Sequence, residues 1–504
     1  MAMVDDRSGV LLTKCRKCPE AWKPIRHMPS DLVLDLRRWT GKVSKIVTYD
    51  ADHMKPLADC IDSRVTLQMG SMGVGKTFAV DKFFANQDLL RQLVNKYTKF
   101  NLGPTDPVRC MIGPTSRESL ANSAFDNYPS IKDQLTFYNN VNHVPGRYYA
   151  IEYESLHTLL GFNQGCFGYH VIHADELESI WITMTSQTTN RTNLTRNKTV
   201  FTAMLQECLV IGSEALPTTR TLDMLTKICD QNDISIYQNT RVKNPKKITL
   251  SMLDVSGEVM DDSFGWRMIN ETANGNRQVL VSGSLGYLKR FENALMTKYP
   301  TMNAKFYEGH SSAQKKAEVR DPDLNWRVQF LGYTGVFTVG ISDNVRDWFA
   351  EVNMLVTQTG GSLVRDLFQG CMRTRYTSTN NLSICVPPAK LCDKPSTFEA
   401  IKDMFLHKLE LLTEFEHQIM READERTYFH TKDDWFVDLI CWNTLERNIQ
   451  EVNPLTQVMT LIEQLKWDVN FQISEDLSTD KNTPILDSTL ANWIPSVKDA
   501  QIKA

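Results

Sequence analysis

The segment Gly70-Ser-Met-Gly-Val-Gly-Lys-Thr77 constrains this chain more than any other feature. It has the spacing Gly-x-x-x-x-Gly-Lys-Thr and lies between an apolar run, Val65–Met69, and a helical pattern over Lys76–Asn86. Glycines let the backbone turn its N–H groups toward phosphate oxygens. The start of the following helix offers its positive end to the same anion. Gly70, Ser71, Met72, Gly73, Val74, Gly75, Lys76 and Thr77 are therefore the candidate phosphate-binding residues. Lys76 has the reach for the β- and γ-phosphates, and the Thr77 hydroxyl suits Mg²⁺, so the expected ligands are ATP and Mg²⁺. A strand-loop-helix of this kind places the chain in the α/β class.

At 504 residues the chain exceeds what one hydrophobic core supports. A net charge of −4 excludes a protein that coats nucleic acid by overall charge, while leaving room for a local basic groove. No run of about 18 apolar residues is present, so no membrane partner is expected. The first residues lack the apolar stretch of a signal peptide. An intracellular, soluble protein is expected, with nucleus and cytoplasm undistinguished. The 11 scattered cysteines fit buried free thiols in a reducing compartment. Cys15-x-x-Cys18 is a half-site for zinc at best, because no second pair follows at ligand spacing.

Along the chain, strands are expected at Val65–Met69, Val108–Ile112, Tyr148–Glu152, Tyr169–His173 and Cys208–Gly212. After a polar link around 241–247 the pattern restarts, with strands at Gln278–Ser282, Asn303–Tyr307, Arg327–Leu331, Glu351–Val356 and Leu382–Val386. Helices are expected over Leu285–Tyr299 and Val364–Arg375. Alternating strands and helices imply two successive parallel α/β units. Past Pro387, Phe398, Ile401, Met404, Phe405, Leu409, Leu412 and Phe415 recur at helical spacing, so a helical region with an apolar packing stripe is expected there.

The run His170-Val-Ile-His-Ala-Asp175-Glu176 ends an apolar strand in two carboxylates. Asp175 is placed to hold Mg²⁺ and Glu176 to orient and deprotonate water. Adjacent acids after a strand also serve as helix caps, and His173 reads as a sheet residue rather than a ligand. Gln369-Gly-Cys-Met-Arg373-Thr-Arg375 closes a helix in the second unit. A guanidinium that arrives when two domains close can complete a phosphoryl-transfer site, although the spacing equally describes a solvated basic helix end.

Taken in order, the segments resemble those of the superfamily 2 helicases, and within them the origin-binding protein helicases of herpesviruses and related viral and plasmid proteins. The resemblance covers about residues 45–390 and rests on seven segments. They are Met72–Thr77, Glu154-Ser-Leu-His157, Asp175-Glu-Leu-Glu-Ser179, Ser213–Asp223, Val281-Ser-Gly-Ser284, Thr334–Ser342 and Gln369–Arg375. It implies two tandem RecA-like domains over 49–247 and 248–390, a helical region over 391–504 and an N-terminal appendage over 1–48.

By position, the resemblance implies that Lys76, Thr77, Asp175 and Glu176 form the hydrolytic centre. Gly340 and Ser342 would sense nucleotide, Gln369 and Arg373 would face the γ-phosphate with Arg373 as the finger, and Arg375 would assist in nucleotide binding. Thr115, Ser116, Arg117 and Ser155 would contact the phosphates of a nucleic-acid strand, although each singly is also a common cap or turn residue. The implied partners are a single strand or tailed duplex, DNA ahead of RNA, and other replication proteins. The chain departs from the family in Ser213-Glu-Ala, which stands where relatives have Asp-Ala-Asp, and in lacking a Gly before Arg373. Sequence-specific origin reading is not expected, because the stretch past 390 carries no recognisable origin-binding region.

The expected function is an ATP-dependent helicase or translocase in viral or mobile-element replication. A nucleotide-switched binding or scaffold protein without strand separation and an RNA helicase are the alternatives.

Overall fold

The computed structural model describes residues 2–5, 10–14, 22–26, 31–115, 127–138, 146–161, 168–186, 193–252, 255–256, 259–260, 263–309, 311–312, 315, 318–319, 321–335, 342–358, 362–387, 394–410 and 435–471. It divides into two units. One, here the P-loop unit, comprises Pro29–Lys243 and Pro395–Glu446. The second comprises Met1–Met28, Asn244–Lys394 and Arg447–Ala504.

Near the N-terminus β1 (Ala2–Asp5), β2 (Val10–Lys14) and β3 (Trp22–Arg26) make a small antiparallel sheet, where the sequence showed no clear period. The P-loop unit is built on β4 (Lys45–Tyr49), β5 (Val65–Gly70), β6 (Cys110–Thr115), β7 (Leu135–Phe137), β8 (Tyr148–Glu152), β9 (Val171–Asp175), β10 (Leu209–Glu214) and β11 (Ile234–Asn239). Their order is β4-β11-β5-β10-β9-β6-β8-β7 and every pairing is parallel. Parallel strands covered on both faces read as continuous apolar runs, which is why β5, β8, β9 and β10 stand out in the sequence. All six residues of β5 are buried.

The second unit repeats the scheme. After β12 (Lys247–Met252) and a short hairpin of β13 (Val255–Ser256) and β14 (Val259–Met260) come β15 (Gln278–Ser282), β16 (Ala304–Tyr307), β17 (Phe330–Thr334), β18 (Phe349–Leu355), β19 (Thr377–Val386) and β20 (Asp468–Phe471). The seven-stranded sheet runs β16-β17-β15-β18-β19-β12-β20, again wholly parallel. The helix Leu285–Lys298 packs on it through Leu288, Phe291 and Leu295, and the Phe291 ring stacks on Phe330 at 4.7 Å. The fold is thus the expected pair of tandem RecA-like units, parallel sheets flanked by helices.

Among the described residues past Pro387 the chain is helical as expected, over Phe398–Glu410, Trp435–Val452 and Pro454–Leu465, and β20 follows beside β12. In the apolar stripe, Ile401 is buried and Phe398 stacks on Trp442 at 4.2 Å, which is a packing role. Leu412 and Phe415 lie outside the described residues. Among the described residues no helix is long and apolar enough to cross a membrane. The seven described cysteines are free and buried, while Cys15 and Cys18 lie outside the described residues.

Candidate nucleotide site

β5 delivers the chain to the glycine loop of Gly70–Gly75 at the carboxyl edge of its sheet. A side chain at Gly70 would come within 3.1 Å of Val74 and 3.3 Å of Met54, a tight fit that a bare backbone avoids. Gly73 and Gly75 both sit at φ +85°, the left-handed region that side chains resist. Gly75 then caps the helix Lys76–Phe84 without a side chain, leaving its first N–H groups open to an anion. The Lys76 ammonium bends back over the loop and donates to the Gly70 carbonyl at 2.7 Å and to Ser71 at 3.2 Å. Thr77 is half-buried. Two neighbours brace the loop: Met54 donates its N–H to the Val74 carbonyl at 2.9 Å, and the Ser71 hydroxyl donates to the Arg241 carbonyl at 2.8 Å.

The acid pair ends β9 at the same edge. Register pairs Asp175 with Ser213 of β10, and Ser213 with Gln68 of β5. Asp175 therefore lies two strands from β5, roughly 10 Å across the sheet. Glu176 has φ +55° and ψ +58°, a left-handed conformation in a residue with a side chain. Such a conformation costs about 1–3 kcal/mol and persists only where surroundings enforce it. It turns the chain sharply from β9 into the helix Leu177–Met184.

His173 is a sheet residue, as its sequence context suggested. It is fully buried, with Tyr128 OH at 2.6 Å from Nδ1 and Ser213 Oγ at 2.9 Å from Nε2. Burial holds the imidazole below its ordinary pKa despite the nearby Asp175 carboxylate, so the ring is neutral at pH 7. A neutral ring has one N–H to give and one lone pair, and the two hydroxyls can fill either role. Behind the loop, Asp81 is fully buried and accepts from Ser130 N at 2.9 Å and Ser130 Oγ at 2.6 Å.

In Ser213-Glu-Ala, Ser213 is tied to His173, while Glu214 accepts from Ala215 N, Leu216 N and Glu178 N at 2.8–2.9 Å. The third acid of the box, Glu178, missed by sequence reasoning, sits at the centre of a buried cluster. Its carboxylate accepts from Thr218 N and Oγ1, Thr221 Oγ1 and the Arg220 guanidinium. No local signal pairs them, since Thr218–Thr221 follows Glu178 only after a separation of 40 residues.

Of the strand-contact candidates, Thr115 ends β6 in register with Glu152 of β8, and Ser155 follows β8, its hydroxyl donating to Glu152 at 3.2 Å. The loops after β6 and β8 thus leave the sheet at the edge that carries Gly70 and Asp175. Ser116 and Arg117 lie outside the described residues.

In the second unit the helix Val364–Cys371 is shorter than expected and does not reach Arg375. The chain instead turns at Met372 so that Thr374 bridges Asp343, with Asp343 N donating to Arg373 O at 2.8 Å and Arg375 N to Asp343 O at 3.3 Å. Gln369 is 1% exposed, and neither its amide oxygen nor its amide nitrogen has a hydrogen-bond partner among the described residues. Burial and the neighbouring Arg373 charge both depress the Arg375 pKa. Asp343 carries an ion pair to Arg327, yet burial raises its pKa. Ser342 is half-buried, and Gly340 lies outside the described residues.

No family model matches the chain, and no curated protein matches it. Solved structures similar to it include "DEAD-box helicase Mss116 bound to ssRNA and UDP-BeF", at 13% identity over 84% of this chain and 94% of that one, TM-score 0.49. Dbp5 of S. cerevisiae bound to RNA and ADP BeF3 is similar at 13% identity over 76% and 90%, TM-score 0.46. The DUF1998 helicase MrfA bound to DNA is similar at 11% identity over 69% and 50%, TM-score 0.43. What the site can do follows from the chain's own residues.

Among the described residues no cluster of three His, Cys, Asp or Glu side chains could cage a metal. Mg²⁺ keeps waters and takes one carboxylate and a hydroxyl alongside phosphate oxygens. Thr77 and Asp175 are oxygen donors of that type at one sheet edge.

Proposed function

We propose that the chain is an ATP-driven helicase or translocase acting on nucleic acid, DNA ahead of RNA. The observation that carries this reading is the pairing, on one sheet edge, of a left-handed glycine loop leading into Lys76 with the Asp175–Glu176 turn two strands away. The loop and Lys76 would hold the triphosphate, Thr77 and Asp175 would bind Mg²⁺, and Glu176 would orient and deprotonate water. Mg²⁺ would supply charge neutralisation at the transferring phosphate. Gln369 and Arg373 of the second unit would complete the site at the γ-phosphate, with Arg375, Gly340 and Ser342 alongside. The loops after β6 and β8, with Thr115, Ser116, Arg117 and Ser155, would grip the strand's phosphates. Binding would then depend steeply on salt and little on sequence. The likeness to herpesvirus-type origin-binding helicases, and with it a role in viral or mobile-element replication, rests on the ordered segments alone.

A Lys76→Ala variant should lose strand-stimulated ATP hydrolysis, by at least about 100-fold. Rates measured in parallel with single-stranded DNA, duplex DNA and RNA test this and choose the strand. Retained stimulation would remove the loop from the mechanism.

A second reading, an ATP-switched binding protein without strand separation, draws on Ser213 and Glu214. Both side chains are buried and committed to internal hydrogen bonds, at a segment the motor reading would use for coupling. A fluorescent duplex with a single-stranded tail separates the two: ATP-dependent unwinding belongs to the motor, ATP-dependent binding alone to the switch.

A further inference from the structure

The strained Glu176 backbone needs its surroundings to hold it. Ser179 N and Ile180 N donate to the Glu176 carbonyl, which pins the first turn of the helix behind it. That turn is fixed in turn by Glu178, whose N–H is bound by Glu214 and whose carboxylate is bound by Thr218, Thr221 and Arg220. Arg220 is fully buried and spans two carboxylates: Glu178 on one side, at 2.5 Å, and Glu446 on the other, at 3.0 Å. Burial works against its charge, yet Glu178 and Glu446 together raise its pKa. Asn443, one turn before Glu446, accepts from Arg220 at 2.5 Å and donates to Trp181 O at 2.9 Å and Thr185 Oγ1 at 2.7 Å. Residues 435–446 therefore hold the acid-box helix at both ends: through Arg220 and Glu178 at its start, and through Asn443 at its finish.

We propose that Glu446 is a positioning residue for ATP hydrolysis: acting through Arg220 and Glu178, it holds the Glu176 turn in its active shape, so that the helical region past 395 is part of the hydrolytic machinery. The inference rests on the ATPase reading above. It is a chain of charge-assisted hydrogen bonds in a dry interior, where each link is short and directional. Loss of the distal carboxylate leaves the guanidinium with a single counter-ion and frees it to shift toward Glu178. A displacement of the general base by a fraction of an ångström lowers turnover without touching the phosphate loop.

The test uses the full chain with Glu446→Gln, which keeps side-chain size and an oxygen acceptor for Arg220. ATPase is measured at saturating single-stranded oligonucleotide, and ATP affinity separately with a fluorescent nucleotide. The expected result is a fall in kcat of about tenfold with KM and nucleotide affinity unchanged. Trp442→Phe is the control for docking alone. It removes the 2.8 Å bond from Trp442 Nε1 to Asp223 of the helix Thr219–Ile228, without touching Arg220, and should leave kcat unchanged. Equal kcat for Glu446→Gln and the parent overturns the inference, as does an equal fall in both variants. Lys76→Ala keeps the two readings apart: if it abolishes turnover while Glu446→Gln does nothing, only the positioning role fails. A parent protein that does not hydrolyse ATP overturns both.

Discussion

Around Glu178, buried charge is answered by buried charge: Arg220 lies between two carboxylates, and hydroxyl and amide donors from the Thr218–Thr221 turn fill the remaining acceptor positions. Around Arg375 the second unit is less completely paired, although Asp343 keeps its ion pair to Arg327. The Arg375 guanidinium lies beside Arg373, and among the described residues neither the buried Gln369 amide atoms nor the buried Asp343 Oδ2 has a partner. Below them Lys246, 1% exposed, reaches neutral atoms, Arg375 O and Thr377 Oγ1, each at 3.4 Å. Burial drives that lysine down to a pKa of about 8. A network complete in the free protein is a fixed scaffold. A cluster of buried polar groups short of partners stores free energy that an incoming anion can recover. The first region is built to hold a geometry; the second leaves Gln369 and Asp343 Oδ2 buried with no hydrogen-bond partner among the described residues.

Breaking the complete network should therefore cost most. Arg220→Ala strands Glu178 and Glu446 in a dry interior, and about 3–5 kcal/mol of stability should be lost, read by urea denaturation. A loss below about 1 kcal/mol would mean that water reaches the site and that the network is no scaffold.

Relieving the incomplete cluster should do the opposite. Lys246→Met removes a buried ammonium, and stability at pH 7 should rise by on the order of 2–3 kcal/mol. The sign follows from proton uptake. The unfolded lysine titrates near 10.5 and the folded one near 8. Between these values the unfolded chain binds more protons, so the parent gains stability as pH rises from 8 to 10.5. The advantage of Lys246→Met should be complete below pH 8 and fade toward 10.5; a pH-independent difference would assign it to packing.

The same contrast explains what could be read from the sequence. The glycine loop, β5, β8, β9 and β10 announce themselves because a parallel strand covered on both faces is an unbroken apolar run. β4 was not legible, since at the edge of its sheet its five residues are exposed or half-buried. β11 was hidden because Ser235, Tyr237 and Asn239 interrupt its run while satisfying partners such as Ser63, Asp62 and Ala51. The helix expected to reach Arg375 stops at Cys371 because Asp343, far away in sequence, claims the backbone of Arg373 and Arg375. Of the site, the residue types were legible and the chains between them were not. Nothing local in Ser213-Glu-Ala says that its side chains are spent on His173 and on backbone amides. Nothing near Glu446 says that it answers Arg220.

Gln369 gives the smallest effect and the cleanest division between packing and turnover. Its amide atoms are buried without partners among the described residues, so replacing it by leucine, of similar volume, removes a desolvation penalty and sacrifices no hydrogen bond seen there. Gln369→Leu should raise stability by about 1 kcal/mol in the absence of nucleotide. If the amide meets the γ-phosphate during turnover, the same variant should hydrolyse ATP more slowly. The two signs oppose each other, and that opposition is the test. A residue kept for packing alone would move stability and leave turnover alone. One already satisfied in the free protein would lose stability on substitution, and the proposed γ-phosphate contact of Gln369 would fall with it.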